Sequence, residues 1–478
     1  MKNRKKIRIF LWRPMATVVK EAGHTRDIRV PFYLKYIEAL LKTKIFYETY
    51  FFDSWISPLP FETLISGVLK WKPDIILMSA MTTEQDLVLS FAREMKMKLN
   101  PYIVAIGQDP SAEPWRYIHA DSPVDCVIRG EPELSFLELL DALEQGQTPL
   151  GVPGLCSMAF ADQSIARVTD LDLLPAPGYS REELLKYKIF YPLTFYHKLV
   201  WGHILTTRGC PHACVFCSQV TRESFGAQVR CRNPGLIIEE IKALQALGVN
   251  MLYIADDDFT CLANHVRAFC NALLGAGIRI EWTSHARVDE LSVDLLKLMR
   301  KAGCIQLRFG IESSSVEVLN HIKKSKRPDI WVQQALEVFQ SARALKIDTL
   351  AMFQVGCPRE TAQDVLNNIQ LSRDLRPDLL QLCYFTAYPG SSYYAQIDDS
   401  RLKEKIRETY HYQDHPVNFS QMDMETTKQM YVLFYRSFYL RLSYFIHHLL
   451  KYGLFYLLNR DVFFELTSFK KILHKKRS

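Results

Sequence analysis

Apolar and polar positions along this chain follow two rhythms, short unbroken apolar runs and longer stretches with helical spacing. Residues 7–12 (IRIFLW) are an apolar run that predicts a strand. Residues 31–42 (PFYLKYIEALLK) have helical spacing with Pro31 at the entry, a position that helix starts tolerate. The alternation continues with a strand in 46–55 (FYETYFFDSW), a helix in 61–73, a buried strand in 74–82 (DIILMSAMT) and a helix in 86–99. It ends with a strand in 102–107 (YIVAIG), a strand in 124–130 (VDCVIRG) and a helix in 133–146. Strands alternating with helices imply right-handed crossovers and a doubly wound, Rossmann-like sheet over residues 1–145. Ligands on such sheets sit outside the carboxyl ends of the strands, here near Ser79 to Thr82 and Gly107 to Ser111.

Residues 146–197 read as a connector: a hairpin (GLCSMAF, ADQS, IARV), then the extended stretch DLDLLPAPGY, whose prolines and acids argue against a core. A second βα rhythm fills 198–395. Its strands are expected in LVWGHILTTR, MLYIADDDF, IRIEWTSHAR, CIQLRFGIES, IDTLAMFQVG and LLQLCYFTAYP, and the helices between them mostly close with glycine. Six such units predict a partial (β/α)6 TIM-like barrel with its chemistry at the carboxyl ends of the strands. Residues 396–478 are expected to be helical and rich in aromatic residues. Arg436, Arg441, His447, His448 and Lys451 recur among the apolar positions there, so packing onto the barrel or lying on a membrane surface are the two expectations.

The chain has 478 residues, 48% of them hydrophobic and 23% charged, which excludes wholesale disorder and supports two or three domains. The net charge of +7 is mild and concentrated at the ends: Lys2, Arg4, Lys5, Lys6 and Arg8, then Lys470, Lys471, Lys475, Lys476 and Arg477. These clusters fit solvated termini or contact with an anionic surface such as a membrane. Nucleic acid is not an expected partner, because no RNA-binding signature or zinc-finger spacing accompanies the charge. MKNRKK runs straight into the first strand without a secretory signal, no uncharged apolar run is long enough to span a membrane, and the 11 cysteines are an odd number. The expected setting is the cytoplasm, with a possible peripheral habit at the inner face of the membrane.

The segment RGCPHACVFCSQ places Cys210, Cys214 and Cys217 on a loop directly after the first barrel strand. Three soft thiolates without a regular fourth partner suit an iron–sulfur cluster with one iron left open. His212 inside the loop and Cys231 downstream keep a zinc site in play. The spacing, with Phe216 before the last cysteine, resembles the signature of the radical SAM superfamily. YIADDDFT, RFGIESSS, FQVGCPRET and AYPGS resemble that family's later strand-end motifs. The resemblance implies a [4Fe-4S] cluster on the three cysteines that cleaves S-adenosyl-L-methionine to a 5′-deoxyadenosyl radical. It also implies S-adenosylmethionine contacts at Phe216, Asp257, Arg287, Glu312 and Ser313. For the last four, ordinary salt bridging at strand ends is the plain alternative.

The front segment, with PFYLKYIEALL, KPDIILMSAMT, IVAIGQDPSAEP and VDCVIRGEPELSFLELL, resembles the cobalamin-binding domain that precedes many radical SAM barrels. The implied cobalamin contacts are Ser79, Thr82, Gly107 and Glu131. The Asp-x-His-x-x-Gly motif that gives cobalt a histidine in some mutases is missing, His24 lies outside any such pattern, and the usual Gly-Gly pair is Gly107-Gln108 here. The layout as a whole resembles cobalamin-dependent radical SAM methyltransferases and the anaerobic magnesium-protoporphyrin cyclase. It implies methyl transfer to an unactivated carbon of a small-molecule or lipid-like substrate, with a one-electron donor such as flavodoxin or ferredoxin. Radical cyclisation or rearrangement without methyl transfer is the second enzyme reading, and a non-catalytic metal-binding protein is the third.

Overall fold

The computed structural model describes residues 6–15, 27–159, 164–189, 199–217, 226–408 and 417–453. His24, the turn of the connector hairpin, Lys2, Arg4, Lys5 and the basic cluster 470–477 lie outside the described residues.

The front sheet contains β1 (Ile7–Arg13), β2 (Tyr47–Asp53), β3 (Ile75–Ser79), β4 (Tyr102–Ile106), β5 (Cys126–Ile128) and β6 (Leu155–Ser157), in the order β2-β1-β3-β4-β5-β6. The first five strands are parallel and β6 runs antiparallel to β5. Successive residues of β1 feed opposite layers. Ile9 and Leu11 pack with the helices Phe32–Lys42 and Pro132–Glu144, while Phe10 and Trp12 pack with the helices Phe61–Trp71 and Gln85–Lys98. A strand buried on both faces must be apolar at every position, which is why these strands read as unbroken runs. The chain leaves β1 toward β2 on one side and β3 on the other, so a crevice opens at their carboxyl ends. β6, the leading strand of the connector hairpin, is thus part of this sheet.

The second sheet orders β14 (Leu379–Tyr384), β13 (Asp348–Val355), β12 (Cys304–Glu312), β11 (Glu281–Ala286), β10 (Met251–Ile254) and β7 (Trp201–Ile204). All six are parallel and in chain order, and β7 does not pair with β14, so the barrel is open. The run 199–208 is not one strand. The carboxylate of Asp256 accepts from the backbone N–H of Thr206 at 2.6 Å and from the Thr207 hydroxyl at 2.9 Å, and this turns the chain after Ile204. Thr207–Arg208 (β8) then pairs antiparallel with Arg230–Cys231 (β9).

The helix Met424–Tyr439 packs against β13, β14 and the helix Ala362–Leu375, and the helix Leu442–Tyr452 packs against Met424–Tyr439. Tyr435 and Tyr439 accept from the backbone N–H groups of Leu382 and Leu380. Tyr431 and Tyr439 donate to the carbonyls of the same two residues. Tyrosines at a four-residue spacing therefore occupy the backbone groups of the edge strand, which an open barrel would otherwise leave unpaired.

Candidate active site

The cysteine loop starts where β8 ends. Gly209 takes φ +100°, and a Cβ there would meet the Gln228 carbonyl at 2.6 Å, so only glycine lets the chain turn into Cys210. The middle of the loop is pinned from both sides. Val215 donates its N–H to Ile322 O (3.0 Å), and its carbonyl accepts from Tyr393 N–H (3.1 Å). Its side chain is buried among Val318, Ile322, Cys357 and Phe385, and Phe216 packs edge-on against Phe385 with ring centroids 6.4 Å apart.

Desolvation pushes the Cys210 and Cys217 thiols up to about 12. Cys214 adds to the rise at both positions, and Cys210 adds to it at Cys217, so the three thiols lie within electrostatic reach of one another. Thiols held protonated in this way release their protons to a soft metal centre. Single-ion spacing is not present. Among the described residues, the one group whose ligand atoms all lie within 4.8 Å of one another is His212, Asp258 and Glu290, not the cysteines. Three soft thiolates, with His212 turned to carboxylates instead of joining them, are the donor chemistry of an iron–sulfur cluster with one iron open. His212 is engaged elsewhere, with Nε2 2.7 Å from Glu290 and 3.2 Å from Asp258. Burial opposes its charge, but the two carboxylates prevail and raise its pKa. This ion triad ties the loop to the ends of β10 and β11.

The sequence-predicted S-adenosylmethionine residues gather around the same mouth. Asp257 stands just after β10, accepts from Gly209 N–H at 3.4 Å, and is pushed up to about 7 by desolvation, with the charge of Asp256 adding to the rise. Glu312 adopts φ +65° at the end of β12, a strained conformation for a non-glycine residue. Its carboxylate accepts from Lys324 Nζ (3.1 Å) and Gln354 Nε2 (2.9 Å), and a side chain at Gly310 would collide with both Glu312 and Lys324. Ser313 is fully buried, its hydroxyl accepting from Ser315 N–H at 3.1 Å. Arg287 forks onto Asp289 (3.0 and 2.9 Å) and donates to Lys324 O (2.7 Å), so it braces the mouth. Lys324, Gln354, Asp258 and Glu290 escape sequence reasoning, because their partners lie many residues away and no spacing marks them.

On the front sheet, Ser79, Thr82 and Gly107 stand at the carboxyl ends of β3 and β4. Ser79 and Thr82 are half-buried, with no hydrogen-bond partner for either hydroxyl among the described residues, and Met81 between them is 44% exposed. This open rim of unspent hydroxyls and apolar surface fits a large corrin. Glu131 stands apart from it. Its buried carboxylate accepts from Arg230 (2.5 and 2.9 Å) and from Val168 N–H (2.6 Å), with Arg208 at 3.6 Å. Arg208, two residues before Cys210, also donates to Glu133 at 2.6 Å. These buried pairs join the front sheet to the start of the cluster loop.

The family model for the radical SAM superfamily matches residues 204–371, and the one for the B12 binding domain matches residues 23–140. An uncharacterized methyltransferase of Pyrococcus horikoshii is 28% identical over 370 residues, covering 76% of this chain and 77% of the relative. The anaerobic magnesium-protoporphyrin IX monomethyl ester cyclase of Rubrivivax gelatinosus is 27% identical over 385 residues, or 77% of this chain and 66% of the relative. Among solved structures, the radical S-adenosylmethionine methyltransferase TsrM from Kitasatospora setae, with cobalamin and a [4Fe-4S] cluster bound, superposes with a TM-score of 0.66. The identity is 16%, covering 81% of this chain and 74% of that one, so this likeness concerns the fold.

Proposed function

This chain belongs to the radical SAM superfamily and carries a B12-binding domain ahead of its barrel, and from that premise we propose that it is a cobalamin-dependent methyltransferase. Its substrate would be a small-molecule or lipid-like compound methylated at an unactivated carbon. The observation that carries the reading is the cysteine loop, held open at the mouth of a six-stranded parallel half-barrel and joined by buried ion pairs to a cobalamin-type sheet. When bound, the cluster, S-adenosylmethionine and cobalamin supply the one-electron and methyl-transfer chemistry.

The chain's own residues position and shield. Cys210, Cys214 and Cys217 would hold three irons. The buried Val215 and the ring of Phe216 keep the loop from collapsing when it is empty. Glu312, Ser313 and Asp257 would receive the amino group and ribose of S-adenosylmethionine, with Lys324 and Gln354 fixing the Glu312 carboxylate and Arg287 bracing the rim. Ser79, Thr82 and Gly107 would border cobalamin, and Glu131 would act through Arg230 and Arg208. A flavodoxin- or ferredoxin-type protein would supply the electron to the cluster.

The similarity to the magnesium-protoporphyrin cyclase favours a second reading, radical cyclisation without methyl transfer. Product mass separates the two, since methylation adds one methylene and cyclisation removes hydrogen.

We place the protein in the cytoplasm, a setting that suits its eleven free thiols. No helix among the described residues is long and apolar enough to cross a membrane. A peripheral contact is supported by Leu442, Ile446 and Leu450, exposed at a four-residue spacing on one helix. Co-sedimentation with anionic vesicles, with and without residues 430–478, tests that contact, and equal binding removes it. The main reading is tested by Cys214→Ala, which should lose the cluster and 5′-deoxyadenosine formation under reducing, oxygen-free conditions. Retained formation would overturn the assignment.

A further inference from the structure

Barrel interiors are ordinarily filled by branched apolar side chains. This one is polar at mid-height. His203 on β7, Tyr253 on β10, Thr283 on β11 and Gln306 on β12 stand at matching register on four neighbouring strands. The ring of Tyr253 lies 5.6 Å from His203 and 6.2 Å from His285, edge to face.

His203 is fully buried, yet neither ring nitrogen has a hydrogen-bond partner. The same holds for the indole N–H of Trp201, two residues earlier on the same face of β7, and for the side-chain NH2 of Gln306. Native interiors rarely leave several polar atoms unpaired in two adjoining layers unless something else meets them.

Two guanidinium groups overlook this layer. Arg308 sits 5.7 Å from the Tyr253 ring and donates to Gln306 Oε1 at 3.3 Å. Arg29 arrives from the front domain, 5.1 Å from the same ring, with its side chain 47% exposed. Asp27 lies between them, 3.2 Å from Arg308 and 3.5 Å from Arg29. The unpaired groups are nearly all donors. Trp201 and the Gln306 amide nitrogen can only donate, and neutral His203 donates once. Burial and the charge of Arg29 keep His203 neutral, with its pKa lowered to about 3. A donor-rich wall calls for an acceptor-rich ligand.

We infer that this lumen receives an acidic oxyanion of the substrate, a carboxylate or phosphoryl group. Arg29 and Arg308, which share the Asp27 carboxylate, leave one net positive charge to meet it, and His203, Gln306 and Trp201 supply the hydrogen bonds. The inference rests on the reading of the barrel as the substrate chamber and deepens it by naming a substrate class. It also gives the front-domain segment a part in selecting substrate, since Arg29 is the wall of the site that the barrel does not supply.

The test uses the full chain with its cluster reconstituted, and reads thermal midpoints with succinate, inorganic phosphate or uncharged succinamide at matched ionic strength. A bound anion at about one hundred times its Kd should raise the midpoint by about 3–5 °C. Comparing succinate with phosphate tells a carboxylate site from a phosphoryl site. Arg308→Gln should lose the shift. His203→Phe keeps the ring's shape without its nitrogens, so the ligand-free protein should stay as stable or gain stability while the shift is lost. An equal rise with succinamide, a rise that survives both substitutions, or no rise with either anion would overturn the proposal. Formation of 5′-deoxyadenosine by the wild type is measured separately. Anion binding without that product removes the proposed reaction and keeps the pocket, and the product without anion binding removes the pocket alone.

Discussion

Arg407 and Asp109 are 298 residues apart in sequence and doubly hydrogen-bonded in the fold, at 2.8 and 2.9 Å, with both side chains buried. Asp109 lies in the first turn of the short helix Gln108–Ala112, and Arg407 closes the helix Ser400–Arg407, so the C-terminal segment clamps the loop that would border cobalamin. The same guanidinium reaches Glu113 and Gln85. Arg407→Met leaves the buried Asp109 with the Tyr117 hydroxyl and no cation, while Glu113 keeps Arg116 and Tyr394, so the loss falls at the lower end of about 3–5 kcal/mol. Urea unfolding should register that loss, and corrin absorbance retained after gel filtration should fall with it. Unchanged retention in a destabilised variant would separate the clamp from the cofactor.

Gly107 makes the same loop sensitive to one methyl group. Its φ is +109°, and a Cβ would sit 2.7 Å from the Ala80 carbonyl oxygen and 3.0 Å from its nitrogen. Both atoms are backbone and have no rotamer with which to give way. Gly107→Ala should cost about 1–3 kcal/mol and spread the ends of β3 and β4, with weaker corrin retention. A variant of wild-type stability would mean that the loop relaxes freely.

The parts of this molecule that sequence exposes are those in which each residue answers to its immediate neighbours. Ile75 to Met78 are apolar at every position because helices cover both faces of β3, and the cysteines announce themselves by spacing alone. What sequence conceals depends on distant partners. Glu131 looks like a turn residue or a cofactor contact, yet its carboxylate meets Arg230, 99 residues later. The apolar run 199–208 reads as one strand, because nothing within it reveals that Asp256 will bond to Thr206. The hairpin at 155 reads as connector, although its first strand extends the front sheet through a pairing with β5.

Tyr439 satisfies both backbone groups of Leu380, accepting the N–H at 3.0 Å and donating to the carbonyl at 2.6 Å. Tyr439→Phe preserves the ring packing and strips both bonds from the barrel's edge strand. The expected loss is about 1–3 kcal/mol, together with faster amide exchange at Leu380 and a greater tendency to associate through the exposed edge. Exchange at the wild-type rate would mean that the helix packing alone protects β14.

Glu360 gives the barrel a pH dependence of definite sign. It is fully buried, with one oxygen accepting from Gly356 N–H (2.6 Å) and Cys357 N–H (3.3 Å) and the other unpaired. Burial pushes its carboxyl from 4.5 to about 8, against the pull of the two amides. The folded protein therefore keeps a proton that the unfolded chain releases above its own lower pKa. This group's stabilising contribution is complete below that value and is lost as pH rises toward about 8. Glu360→Gln imitates the protonated acid: its carbonyl oxygen can serve both amides, and it carries no charge to bury. The variant should match the wild type well below pH 4.5 and surpass it as pH rises toward about 8, by up to about 1.4 kcal/mol for each unit between the two pKa values. The measurement is the difference between the two unfolding free energies across that range, which cancels every other titrating group. Parallel profiles would mean that Glu360 is ionised in the folded protein and that its charge is met by a group other than the two amides.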